Sequence, residues 1–216
     1  MPNRPKRGSG ERSNWYSGSK FTNWTPFDPY SSELRSARRD VRPSKTVERG
    51  PDQSPLPVFE AALHDDFIRP ASGVEIAATL ELVPAEFLTG LAGVFLLSGT
   101  RKQARALRLF RYGCYASGDI HLHAFPKALL HLNLKGDLKP SVEREYLRAG
   151  AKIRRGRGGS VLEFDPASLR AFYLYDVLLH EVGHHVDERV DSRPCRAAER
   201  FAEWFAEAQA RELFVE

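Results

Sequence analysis

The stretch LLHEVGHHVDERV, residues 178–190, sets His180 and His184 four positions apart with Glu181 between them. On an α-helix, residues four apart differ by about 40° around the axis and rise by about 6 Å. Both imidazoles then project from one face, at a separation that one metal ion can bridge. Glu181 lies one position round, close to such an ion but not aimed at it. Two imidazoles that hold an ion, with a carboxylate beside them to take a proton from water, form a recognisable unit of hydrolytic chemistry. His185, about 100° round from His184, falls outside the pair and is expected at the surface or behind the ligands.

The flanking residues predict the helix. In FDPASLRAFYLYDVLLHEVGHHVDERV, Asp165 is a good N-cap, Pro166 suits the first helical position, and no further proline occurs before Pro194. The pattern predicts one long helix from about 166 to 190. A short connection, DSRPC, leads to RAAERFAEWFAEAQARELF, dense in good helix formers. There Glu199 and Glu203 are again four apart and share a face, which a helix hairpin would set opposite His180 and His184.

A catalytic zinc takes about three protein ligands and keeps one position open. Glu199 is assigned as the third ligand, and Glu203 as a carboxylate that orients a ligand imidazole by accepting its other N–H. Glu203 itself, Asp187, Asp191 and Cys195 are the other donors in reach along the chain. Without the histidines, Glu199 and Glu203 would read as a solvated helix face paired with Arg196 and Arg200.

HEVGH, with Glu199, Ala202, Glu203, Phe205 and Ala206 following as ExxAExFA, resembles the zincin metallopeptidases. Within them it is most similar to the gluzincins, in a minimal form like the ImmA/IrrE-type regulatory peptidases. That resemblance implies an α+β fold, a small, mostly antiparallel sheet packed on an active-site helix that is followed by a glutamate-bearing helix. It implies one Zn²⁺ on His180, His184 and Glu199, with Glu181 as general base in peptide-bond hydrolysis. An edge strand that pairs with the substrate backbone is also implied, and the order of elements matches it to RYGCYASGDIHLH. The regulatory group often has Asn where this chain has Glu203, so the acceptor is kept and a charge is added. Tyr or His often stabilises the developing oxyanion in gluzincins; Tyr112, Tyr115, Tyr173 and Tyr175 are the phenols available.

The rest of the domain reads as short strands and helices. VEIAATLELVP (74–84), with β-branched residues at its start and a proline at its end, suggests a strand. PAEFLTGL suggests a short helix opening on Pro84, and AGVFLLSGT a buried strand. LRLFRYGCYASGDIHLHAF has the composition of a hairpin turning at ASGD, in which His121 and His123 share a face. KPSVEREYLRAGAKI predicts a helix that ends at Gly150, followed by a basic hairpin in AKIRRGRGGSVLEF.

At 216 residues, 42% hydrophobic and 28% charged, the chain can bury one core and carry an extension. Residues 1–55 hold 11 Lys and Arg against 6 Asp and Glu, whereas 56–216 hold 21 against 22, so the basic excess belongs to the N-terminus. Eight of the fourteen prolines fall by Pro57. The first 55 residues are therefore expected to be a largely disordered extension, and 56–216 the zincin-like domain. Within the extension, Trp15, Tyr16, Phe21, Trp24, Phe27 and Tyr30 are spaced among small polar residues. Such a segment can dock on its own domain or on a partner, and basic residues interleaved with aromatics can also bind single-stranded nucleic acid.

Two cysteines, Cys114 and Cys195, are too few for a disulfide framework and fit a reducing compartment. No apolar run approaches the roughly 20 residues of a membrane span, and MPNRPKRGSG lacks the apolar core of a secretory signal. A cytoplasmic peptidase acting on protein or peptide is the expectation. The other classes are a zinc protease brought to DNA by its basic tail and hairpin, and a non-enzymatic binding module on the same fold.

Overall fold

The structure, a computed structural model, describes residues 56–99, 112–134, 138, 140–156, 159–190 and 195–214. The basic, aromatic extension and Asp191 lie outside the described residues, as does the side chain of Cys195. From Leu56 the chain forms β1 (Val58–Glu60), β2 (Phe67–Ile68), α1 (Gly73–Leu82), α2 (Ala85–Leu88) and β3 (Gly93–Leu97). The hairpin β4–β5 (Gly113–Ala116, Asp119–His123), β6 (Phe125–Pro126), β7 (His131–Leu134) and α3 (Pro140–Arg148) follow. After the hairpin β8–β9 (Lys152–Gly156, Gly159–Glu163) come α4 (Pro166–Ala171), a π-helical stretch (Phe172–Leu178), α5 (Leu179–Val190) and α6 (Cys195–Phe214).

The architecture is α+β, with the principal sheet ordered β1-β3-β5-β4. Here the expectation of a mostly antiparallel sheet needs correction. β1 with β3 and β3 with β5 are parallel, and only β4 with β5 is antiparallel. The reason is the connection from β1 to β3, which runs through α1 and α2 and so brings the chain back to start in the same direction. The small β2–β6 ribbon and the β7-β9-β8 sheet are antiparallel throughout.

One face of the principal sheet, with Val94, Leu96, Ile120 and Leu122, packs in a continuous core with Ile76 and Leu80 of α1 and Phe172, Val177, Leu178 and Val182 of the long helix. Each such side chain, fully buried, contributes about 1.5–3 kcal/mol. The opposite face carries Phe95, on which His121 stacks at 5.2 Å.

The segment 74–84 is a helix where the sequence suggested a strand. Ser72 caps it: its hydroxyl accepts from the Glu75 N–H at 3.3 Å, and the Glu75 carboxylate accepts from the Ser72 N–H at 2.8 Å. That reciprocal box nucleates a helical turn. Ile76, Thr79 and Leu80 then bury one helical face, while Val74 is 80% exposed. The β-branched residues were thus overruled by the cap and the spacing.

The long helix does span 166–190, capped by Asp165 as expected, but it is not regular. Its middle is wound with wide turns, where it is tied on two sides. The Tyr173 hydroxyl donates to the His123 carbonyl, and Asp176 accepts from Arg148 of α3. Among the described residues, no helix is long and apolar enough to cross a membrane.

Gly183 faces α6 at the helix crossing. A Cβ there would lie 2.8 Å from the Cα of Ala202 and 3.2 Å from the Cβ of Phe205. In an open helix, Gly to Ala is stabilising by roughly 0.5–1 kcal/mol. Here the sign reverses, because the obstacle is backbone and cannot swing aside. Gly183→Ala should destabilise the fold by about 1–3 kcal/mol, read as a lower urea midpoint in the presence of chelator.

Glu75 supplies a pH signature, because its bonds to Ser72 and then to Arg170 (2.9 Å) hold its pKa down at about 2 instead of 4.5. The folded form then binds fewer protons than the unfolded chain, so this stabilisation is complete above pH 4.5 and is lost as pH falls towards 2. Glu75→Gln should flatten that limb of the acid-unfolding curve.

Candidate metal centre

Three side chains from two helices converge. His180 and His184 on α5 place their Nε2 atoms 3.0 Å apart. Glu199, in the second turn of α6, sets Oε2 at 3.4 Å from His180 Nε2 and Oε1 at 3.7 Å from His184 Nε2. Tetrahedral zinc with bonds of about 2.0–2.1 Å keeps its donor atoms roughly 3.3 Å apart. The cluster has that spacing, and the two imidazoles and one carboxylate are a donor set suited to catalytic zinc. It is the one group of three or more such side chains, among the described residues, with ligand atoms close enough to share an ion.

The three side chains are 14–21% exposed, so they stand at a surface that water can reach and not inside the core. Two features of the sequence put them there. The i,i+4 spacing aligns the imidazoles, and the small residues Gly183 and Ala202 let α5 and α6 lie close enough for Glu199 to face both.

Glu181 is buried at 6% exposure, with its carboxylate against Gly113 of strand β4. β4 ends the order β1-β3-β5-β4, so it is an edge among the described strands. The hydrogen bond from the His123 N–H to the Tyr112 carbonyl, 2.8 Å, fixes which residues bond inward. By the alternation of an antiparallel ladder, Cys114 and Ala116 bond towards β5, while Gly113 and Tyr115 turn their N–H and C=O groups to the open edge. A strand expected to be an edge thus lies beside the expected base.

Glu203 does not take the orienting role assigned to it. It lies one turn beyond Glu199, half-buried, and among the described residues it makes no hydrogen bond or ion pair with either imidazole. Asp187 is buried one turn beyond His184 and is not part of the converging group. His121 and His123 are also outside it. His121 is buried against Phe95, on the sheet face opposite the core residues Ile120 and Leu122.

His185 is not a surface residue. It is 1% exposed, its Nε2–H donates to the Thr89 carbonyl (3.0 Å), and its Nδ1 accepts from the Tyr115 hydroxyl (3.2 Å). Burial lowers its pKa, which suits a neutral ring with one donor and one acceptor. Tyr115 in turn accepts from the Gly118 N–H at 3.1 Å, in the tight turn that Ser117 and Gly118 make with positive φ. Burial, with Glu188 adding to it, raises the Tyr115 pKa.

Of the other candidate phenols, Tyr173 is committed to the His123 carbonyl. Tyr112 sits among Phe125, Phe172 and Tyr146, where burial pushes it up to about 12. Tyr175 lies half-buried in the π-helical stretch.

Two arginines of the basic hairpin are paired with carboxylates. Arg154 pairs with Glu163, and Arg155 with Glu143 at 2.5 Å. These arginines are therefore less available to phosphate than the sequence suggested.

Gly183, Gly113 and the Tyr115–His185 pair were not singled out by the sequence patterns. A glycine inside a helix, at 183, or inside a strand, at 113, is the signal that could have pointed to the first two, since each costs stability unless something needs the space. Tyr115→Phe removes one bond to a buried imidazole and should lower stability by about 0.5–1.5 kcal/mol, with metal uptake unchanged on titration with zinc. Compared with known proteins, the chain matches no protein-family model, no curated protein and no solved structure.

Proposed function

We propose that the protein is a zinc-dependent metallopeptidase that hydrolyses peptide bonds in an extended segment of protein or peptide. The observation that carries this reading is the convergence of His180, His184 and Glu199 with Glu181 one position away, beside an open strand edge. A zinc ion held by those three residues would lower the pKa of water and polarise the scissile carbonyl. Glu181 accepts the proton from the attacking water and delivers it to the leaving amine. Its position suits the task, on the strand side of the helix and directly beside the donor set.

The edge groups of Gly113 and Tyr115 pair with the substrate backbone, which favours an extended, locally unfolded substrate over a folded surface. The N–H and C=O of the paired peptide then lie in register with Glu181. A cytoplasmic setting rests on cysteine usage. The zincin-like fold and the kinship with gluzincins are likewise proposals, supported by the two-helix donor set and the neighbouring edge strand. The ion pairs of Arg154 and Arg155 make recruitment by DNA the weaker reading.

Zinc analysis and a peptide-library assay test the proposal together. Purified protein should hold near one zinc per chain, and His180→Ala and Glu199→Ala should each lose it. Glu181→Gln should keep the metal and lose cleavage by a factor of about 10² to 10⁴. A folded wild-type chain that takes up no zinc would overturn the reading.

A further inference from the structure

We propose that Gly113 is a positioning residue, which holds the Glu181 carboxylate flush with the strand edge where substrate pairs; the role rests on the peptidase reading above. A Cβ at position 113 would lie 2.9 Å from Glu181 Oε1, 3.1 Å from its Cγ and 3.0 Å from Val177 Cγ1. The first of these distances is closer than a carbon and a carboxylate oxygen tolerate in contact, so any side chain here displaces the carboxylate. Gly113 is not among the glycines with positive φ. Its backbone conformation is therefore open to any residue, and glycine is required by space alone. Glycine within a strand costs order and side-chain packing, and it often marks a close backbone approach.

The approach is set by two anchors. Residues 113 and 115 lie on the same face of β4, roughly 6.8 Å apart along the strand. Their partners Glu181 and His185 are one turn apart on α5, about 6 Å. The rises nearly match, so strand and helix run alongside each other with Gly113 on Glu181 and Tyr115 bonded to His185 at 3.2 Å. The carboxylate thus rests against the residue whose N–H and C=O face the open edge. A peptide paired there would present its backbone to Glu181 at the level of Gly113. The alanine methyl would push the carboxylate aside by several tenths of an ångström, and misplacement by about 1 Å can cost 10²-fold in rate.

The test uses the full chain, loaded with zinc, and a fluorogenic peptide that the wild type cleaves. Gly113→Ala should keep the wild-type zinc content and a KM within about twofold, with kcat lowered about 10- to 100-fold. Glu181→Asp shortens the side chain by one methylene and clears the methyl. It should raise kcat in the Gly113→Ala background while lowering it in the wild type. A purely structural glycine would not produce that reversal.

Should Gly113→Ala fold poorly, adding Val177→Ala relieves the wall contact and leaves the Glu181 contact to be read. An active wild type with an undiminished Gly113→Ala, or a loss that Glu181→Asp deepens in both backgrounds, overturns the positioning role alone. A zinc-free, inactive wild type overturns the peptidase reading and this role with it.

Discussion

Everything at the centre depends on how closely α5 and α6 approach. Helices packed through ordinary side chains stand 8–10 Å apart, and a glutamate on one reaches histidines on the other only when the local contact is tight. Gly183 and Ala202 supply that contact: a Cβ on the glycine would come within 2.8 Å of the alanine Cα. Glu199 then faces both imidazoles, at 3.4 and 3.7 Å. The site is thus produced by what is missing at position 183 as much as by the donors themselves.

One turn and a half of α5 divides its labour by azimuth. His180 and His184 face Glu199, Gly183 faces Ala202, Glu181 faces Gly113 of β4, and Val182 and Val186 enter the core. His185, adjacent to His184 in sequence, turns to Tyr115 and Thr89. A helix used on every side cannot rotate without breaking several contacts together, which is the physical content of a preorganised site. Two polar side chains buried around it have partners: the neutral imidazole of His185 donates from one nitrogen and accepts at the other, and one carboxylate oxygen of Asp176 is met by Arg148.

The edge strand and the helix make one unit, since the same hairpin supplies the open backbone groups of Gly113 and Tyr115 and the hydroxyl that bonds His185. Its turn is built from Ser117 and Gly118 at positive φ, the arrangement that matches the twist of two paired strands. A local turn preference is thereby coupled, through one phenol, to the orientation of the helix that carries the donors.

Much of this was legible from local pattern. Residue spacing placed His180, Glu181 and His184 on one helix and Glu199 on the next, Asp165 and Pro166 marked the start of the long helix, and ASGD marked the hairpin, because caps, turns and periodicity act over a few residues. Where a local signal was read wrongly, at 74–84, the Ser72 and Glu75 cap was present in the sequence and β-branched residues hid it.

What only the tertiary structure decided involves distance across the fold. It decided the parallel pairing of β1, β3 and β5, the burial of His185, the absence of a bond from Glu203 to the imidazoles, and the need for glycine at 113 and 183. The requirement for glycine at 183 exists only where the two helices cross, because only there does Ala202 stand against it. The identity of the donors is thus a property of the chain, whereas their convergence is a property of its packing.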